Sequence, residues 1–183
     1  MRQKAPSRDN IDEMLDVWAR EIPTLDPLTE GIIERVQVLS KAFNESLEAN
    51  LAESGLDRRA FGLLGKLRKW GPPYRASAGQ LASDLRLSSG ALTNRLDRME
   101  AGGLIRRLPD PNDRRGTIVE PTDLGLRKWD EVAGASSRKE AELTSGLTKA
   151  EREELHSLLR KLMWAFPSWR ERKHAQPVAE SDE

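Results

Sequence analysis

The chain has 183 residues, a length that suits one domain or two small ones sharing a core. Its 30 Lys/Arg balance 30 Asp/Glu, so the net charge neither calls for an anionic partner nor excludes one. It has no cysteine, which excludes thiol catalysis, zinc fingers and disulfide frameworks, and no apolar run approaches the ~20 residues of a membrane span.

Charge is distributed unevenly. Residues 57–115 hold 13 Lys/Arg against 6 Asp/Glu, a surplus of 7, while acids crowd between Asp9 and Glu34. That asymmetry points to one face for an anionic partner; a solvated charged surface is the plainer alternative. The opening MRQKAPSRDN is basic with no apolar segment behind it, so it does not read as a secretory signal, and a cytoplasmic address is expected. Residues 1–10 and 171–183 read as flexible tails.

Ile11, Met14, Leu15 and Trp18 recur at i, i+3, i+4 and i+7, which predicts an amphipathic helix over residues 11–20, closed by Pro23. Asp26 and Pro27 form an N-cap with proline at the first helical position. Leu28, Ile32, Val36, Leu39, Phe43, Leu47 and Leu51 then make one apolar stripe until Gly55, on a helix long enough to seat a partner helix. Leu56, Asp57 and Phe61 fit a hydrophobic staple around a new N-cap. The helix it opens runs to about Trp70, where Gly71-Pro72-Pro73 stops it.

Ser77 with Gln80 is a capping box for a short helix, AGQLASDLR. Leu87-Ser88 makes a tight turn, and Ser89 is the expected cap of a second helix, GALTNRLDRMEA, ended by Gly102-Gly103. On it Leu92, Leu96 and Met99 share one face, leaving Thr93, Asn94, Asp97 and Arg98 largely on the others. This pattern describes a helix-turn-helix, although any three-helix core can contain such a pair. The stretch that follows, RRLPDPNDRRGTIVE from Arg106 to Glu120, reads as two short strands around a tip without a core residue. A strand pair attached to a helix-turn-helix is a wing. Its tip arginines, Arg114 and Arg115, suit a narrow minor groove, with Asp113 orienting Arg115 and Pro109 and Pro111 stiffening the arms. Ser88, Ser89, Thr93, Asn94 and Arg98 are the expected DNA-facing residues of the second helix, with asparagine able to read adenine through two bonds.

Thr122 is placed to cap a helix through about Ser145, and Thr148 with Glu151 is another capping box. Leu155, Leu158, Leu159 and Leu162 form a further stripe, with Trp164, Phe166 and Trp169 beyond it. Such stripes usually line an intrachain core; with residues 28–51 they exceed what a small winged helix covers, which points to a dimer seam. The expected fold is mainly α with a small β-wing, a winged helix-turn-helix with N- and C-terminal dimerisation helices. Residues 11–55 carry the N-terminal dimerisation helices, 56–121 the DNA-binding domain and 122–170 the C-terminal dimerisation helices.

The run LSSGALTNRLDRMEAGGLIRRLPDPNDRRGTIVEPTDLG, Leu87–Gly125, closely resembles the MarR family of bacterial transcriptional regulators, with the wing's Asp-x-Arg signature at Asp113 and Arg115. The resemblance is looser over residues 25–162. It implies a homodimer whose terminal helices interlock, each subunit offering one winged helix to a palindromic site in double-stranded DNA. It also implies a repressor that a small anionic, often aromatic, molecule releases. A narrower resemblance is to the urate-responsive branch, which has an extra N-terminal helix bearing a tryptophan, matched here by Trp18. That branch's two arginines fall on Arg95 and Arg107, which implies a ligand near these three residues. Gly62 stands where the branch has an acidic ligand residue, which favours another anion, aromatic or polycarboxylic. Other readings stay open: Trp18 as cover for the dimer core, Arg95 paired with Asp97, Asp113 or a phosphate, and Arg107 on a backbone phosphate. His156 and His174 have no metal-ligand spacing, and no Gly-rich phosphate loop or nucleophile–base pair suggests an enzyme or a cofactor. The rival reading is a winged-helix architectural or protein-interaction module without an effector.

Overall fold

The computed structural model describes residues 7–111, 113 and 116–166. In chain order they form α1 (Asn10–Glu21), α2 (Pro27–Ser54), α3 (Arg58–Lys69), β1 (Ala76–Ser77), α4 (Ala78–Leu85), α5 (Ser89–Ala101), β2 (Ile105–Pro109), β3 (Thr117–Pro121), α6 (Asp123–Thr144) and α7 (Lys149–Ala165). Among the described residues, 7–139 form one compact unit and 140–166 belong to a second. No described helix is long and apolar enough to cross a membrane.

Helix starts follow the sequence closely, because a side-chain oxygen must satisfy the first free N–H groups. Asp26 and Asp57 cap α2 and α3, and reciprocal capping boxes form at Ser77–Gln80 and Thr148–Glu151. A further box, Asp9–Asp12, opens α1. The cap expected at Ser89 lies one residue earlier. Ser88 has the extended backbone, φ −66° and ψ 156°, and its hydroxyl accepts from the Ala91 N–H at 3.3 Å. Adjacent serines look alike in sequence; the left-handed Arg86 (φ 52°), which ends α4, fixes the phase of the turn.

The core of the first unit gathers Leu51, Leu56, Leu63, Leu64 and Leu67 with Leu81, Leu92, Leu96, Met99, Ile105, Val119 and Val132. Each fully buried leucine contributes roughly 1.5–3 kcal/mol. This core runs through the end of α2 and the start of α6, so it continues past residues 56 and 121, where the sequence reading bounded the DNA-binding domain. The sheet order is β1-β3-β2, all antiparallel, with Arg106 opposite Glu120 and Arg107 opposite Val119. The two-residue β1 was not expected; it is too short to carry an alternating pattern.

Two glycines permit close packing. A Cβ at Gly125 would lie 2.1 Å from the Leu104 carbonyl oxygen, so only glycine lets α6 start against the wing base. A Cβ at Gly31 would lie 3.0 Å from Leu15 Cδ1, where α1 crosses α2 and buries Ile11 and Leu15. Arg35 of α2 reinforces that crossing, reaching Asp9 at 2.9 Å and Asp12 at 2.8 Å. The Asp9 amide first, and then Arg35, hold the Asp12 carboxyl below the usual carboxylate range.

The long α2 stripe divides. Leu51 enters the core and Leu47 packs against it, while Leu28 (74% exposed), Ile32, Val36, Leu39 and Phe43 face outward. In the second unit α7 buries no residue, and Leu155, Leu158, Leu159 and Met163 are exposed along it. Trp169 and most of both expected tails, residues 1–6 and 171–183, lie outside the described residues.

Candidate nucleic-acid interface

The second helix of the turn motif, α5, is built in two faces. Leu92, Leu96 and Met99 are buried, while Ser88, Ser89, Thr93, Asn94 and Arg98 are exposed. That alternation fixes the helix by its apolar side and leaves its polar side outward. The Thr93 hydroxyl donates to the Ser89 carbonyl at 2.9 Å, and Arg98 Nε donates to the Asn94 carbonyl at 3.3 Å. Among the described residues no hydrogen bond engages the Asn94 side-chain amide, so its donor and acceptor remain available for a base edge.

The wing is braced at its base by buried charge. Glu120 is 3% exposed and accepts from Arg106 across the strand pair and from Arg75, just before β1. Burial pushes the Glu120 carboxyl up, but the two guanidiniums more than offset it and hold the group below the usual glutamate range. Nearer the tip, the Asp110 N–H donates to the Gly116 carbonyl at 3.2 Å, and the Gly116 N–H to the Asp113 carbonyl at 2.8 Å. Asp113 therefore stands in the turn of the wing. Arg114 and Arg115 lie outside the described residues.

Among the described contacts none joins Trp18, Arg95 and Arg107, the expected ligand trio. Arg95 lines a cavity of about 460 Å3 between the start of α3 and α5, together with Arg59, Asn94 and Arg98, and neither Trp18 nor Arg107 lines it. Helical geometry explains the separation. Arg107 grips the α5 face of Thr93 and Asp97, and Arg95 lies about 200° around the helix from Asp97. Trp18 sits half-buried on α1. Gly62 is exposed on α3, and a Cβ there meets nothing within 4 Å.

Sequence reasoning did not find Arg59, Arg75 or Glu120. The hairpin register, once drawn, pairs Arg106 with Glu120 and was the available signal for one of them. Arg59 shares its cavity with α5, and Arg75 meets β3, both across long stretches of chain. No local spacing carries that information.

A helix pair joined by a tight turn, with its second helix exposing polar residues and a short antiparallel wing behind it, defines a winged helix-turn-helix DNA-binding protein. Comparisons with known proteins agree. The MarR family model matches residues 56–117. The chain is 31% identical over 152 residues to the HTH-type transcriptional regulator PecS of Dickeya dadantii, covering 81% of this chain and 90% of that relative. Among solved structures it is similar to the YusO protein of Bacillus subtilis, with a TM-score of 0.66 and 25% identity over 78% of this chain and 99% of that one. It is also similar to a single-site mutant of MarR from E. coli complexed with operator DNA, with a TM-score of 0.57 and 26% identity over 80% and 98% of the two chains. The chain belongs to the MarR family of DNA-binding transcriptional regulators. Its relatives are regulators and not enzymes.

Proposed function

We propose that the protein is a cytoplasmic repressor that binds a palindromic operator as a homodimer and leaves it when a small anion binds. The observation that carries the DNA reading is α5, with Asn94, Thr93 and Arg98 exposed above the buried stripe of Leu92, Leu96 and Met99. In this reading Asn94 and Thr93 address base edges, and Ser88, Ser89 and Arg98 position the helix on the backbone. Arg114, Arg115 and Asp113 are read as the wing's contact with the adjacent minor groove. The exposed apolar residues of α2 support the dimer, since a second copy covers what a monomer leaves in water.

The cavity beside Arg95 supports an anionic effector. Arg59, Arg95 and Arg98 line it against one carboxylate, Asp57, which already accepts from the Ala60 N–H at 2.7 Å. Arg98 and Asn94 belong to both the cavity and the proposed DNA face, so an anion held there alters the helix that reads DNA. Release needs a ligand that binds the free and DNA-bound forms with different affinity. Gly62 supplies no carboxylate, so an aromatic or polycarboxylic acid is the expected effector, with Arg95 as its main partner. Trp18 and Arg107 enter such a site only through a second copy or a rearrangement.

Gel retention on DNA upstream of the protein's own gene, with random DNA as competitor, tests this reading. Sequence-dependent retention is expected, with base preference at one position of each half-site relaxed by Asn94→Ala. Retention that is salt-sensitive but sequence-blind would favour the architectural module. Titrating the retained complex with urate and a panel of aromatic and polycarboxylic acids should give weak release by urate, stronger release by another acid, and resistance in Arg95→Ala. Strong release by urate would sink the inference drawn from Gly62.

A further inference from the structure

Arg107 makes more contacts than any role in ligand or phosphate binding requires. It lies on β2, an edge strand of the sheet, and its backbone N–H points off that edge to donate to Glu100 Oε1 at 2.8 Å. Its Nη2 donates to Asp97 Oδ1 at 2.7 Å and to the Thr93 carbonyl at 3.3 Å, and its Nε stands 3.7 Å from Glu100 Oε2. Only 26% of the side chain is exposed. Thr93, Asp97 and Glu100 follow one another at i, i+4 and i+7 on a single face of α5, so one wing residue spans two turns of the helix.

The connection that the clamp bridges is short and runs through Gly102-Gly103, with Gly103 at φ 67°, a conformation glycine adopts without strain. Its backbone is tied to the end of α5, the Gly103 N–H donating to the Glu100 carbonyl at 2.9 Å and the Leu104 N–H to the Met99 carbonyl at 2.9 Å, and Arg107 adds a side-chain contact farther along β2. One guanidinium nitrogen, Nη2, bonds both Asp97 and the Thr93 carbonyl, and Glu100 adds a charge contact at 3.7 Å to Nε, which is buried without a hydrogen-bond partner among the described residues. The guanidinium charge is also balanced there, which leaves little attraction for a phosphate.

We propose that Arg107 is a positioning residue for DNA recognition: by clamping β2 to Thr93, Asp97 and Glu100, it sets the angle at which the wing leaves the recognition helix. Helix and wing then meet one duplex together, the second contact forming at high effective concentration once the first is made. This inference rests on the wing contact proposed above.

The test measures affinity for the retained DNA fragment, and the melting temperature, for Arg107→Gln, Arg107→Lys, Asp97→Asn, Arg115→Ala and the double variants. Arg107→Gln should weaken binding about tenfold with a folded protein, and Arg107→Lys should fall between it and the parent, because it keeps the charge but not the fork. Asp97→Asn should weaken binding in the same direction. Combining Arg107→Gln with Arg115→Ala should weaken binding little beyond the larger single effect, because a misaimed wing has already lost its tip contact. If Arg107 instead touched DNA, Asp97→Asn would free it and tighten binding, and the double variant would multiply both losses; either result overturns the clamp. Parental affinity in Arg107→Gln beside a weakened Arg115→Ala overturns the clamp alone. Parental affinity in Arg115→Ala overturns the wing contact itself.

Discussion

Gly125 lets the start of α6 pack directly against the chain entering the wing. Thr122 Oγ1 donates to the Gly103 carbonyl at 2.5 Å and accepts from the Gly125 N–H at 3.1 Å, drawing the start of α6 onto the loop before β2. The missing Cβ is what allows the approach to Leu104, and that backbone carbonyl cannot swing aside as a flexible side chain can. Gly125→Ala should therefore lower stability by about 1–3 kcal/mol, despite alanine's higher helix propensity. Denaturant unfolding at neutral pH checks the sign; an unchanged midpoint would show that α6 can slide away at no cost. The pattern Thr122-Asp123-Leu124-Gly125 was visible in the sequence, but only coordinates reveal which backbone atom the glycine faces.

At the scale of elements, capping chemistry was legible and ionic bracing was not. Ser77–Gln80 and Thr148–Glu151 act across three residues, a distance a sequence pattern encodes. Arg35 meets Asp9 across 26 residues, and Arg75 meets Glu120 across 45, pairings that depend on how helices cross and strands register. The clasp that holds α1 on α2 has a pH signature. Asp12 has a folded pKa below its ordinary value of 3.8, so its contribution is complete above that value and is lost as pH falls through the lower, folded one. Asp12 first, and then Asp9, shift Arg35 upward from the ordinary guanidinium value, so it stays charged throughout the accessible range. Glu120 behaves as Asp12 does, from an ordinary value of 4.5. Hydrogen exchange along α1 should stay slow from about pH 7 to 5 and accelerate below about pH 4, after correction for the intrinsic rate. Arg35→Gln should raise exchange in α1 at neutral pH and flatten its acid dependence. If α1 in Arg35→Gln exchanges as slowly as in the parent, apolar contact through Ile11 and Leu15 alone holds it.

For the whole molecule, the hydrophobic periodicity announced the helices but not which faces would remain uncovered. The α2 stripe reads as continuous in sequence, yet Leu51 is buried and Leu28 is 74% exposed, because α3 and α6 cover only its C-terminal part. Arg95 and Arg107 were similarly readable as residue types and not as positions, since only coordinates place Arg95 on the cavity side of α5 and Arg107 against Thr93 and Asp97. The proposed function requires that two copies present two recognition helices and two wings to one palindrome. Hydroxyl-radical footprinting of the full chain on the retained upstream DNA tests it most directly. Two symmetric protected clusters are expected, with centres about one helical turn, ~34–36 Å, apart, flanked by protections that Arg115→Ala removes. A single protected cluster, or even protection along the whole fragment, would contradict it.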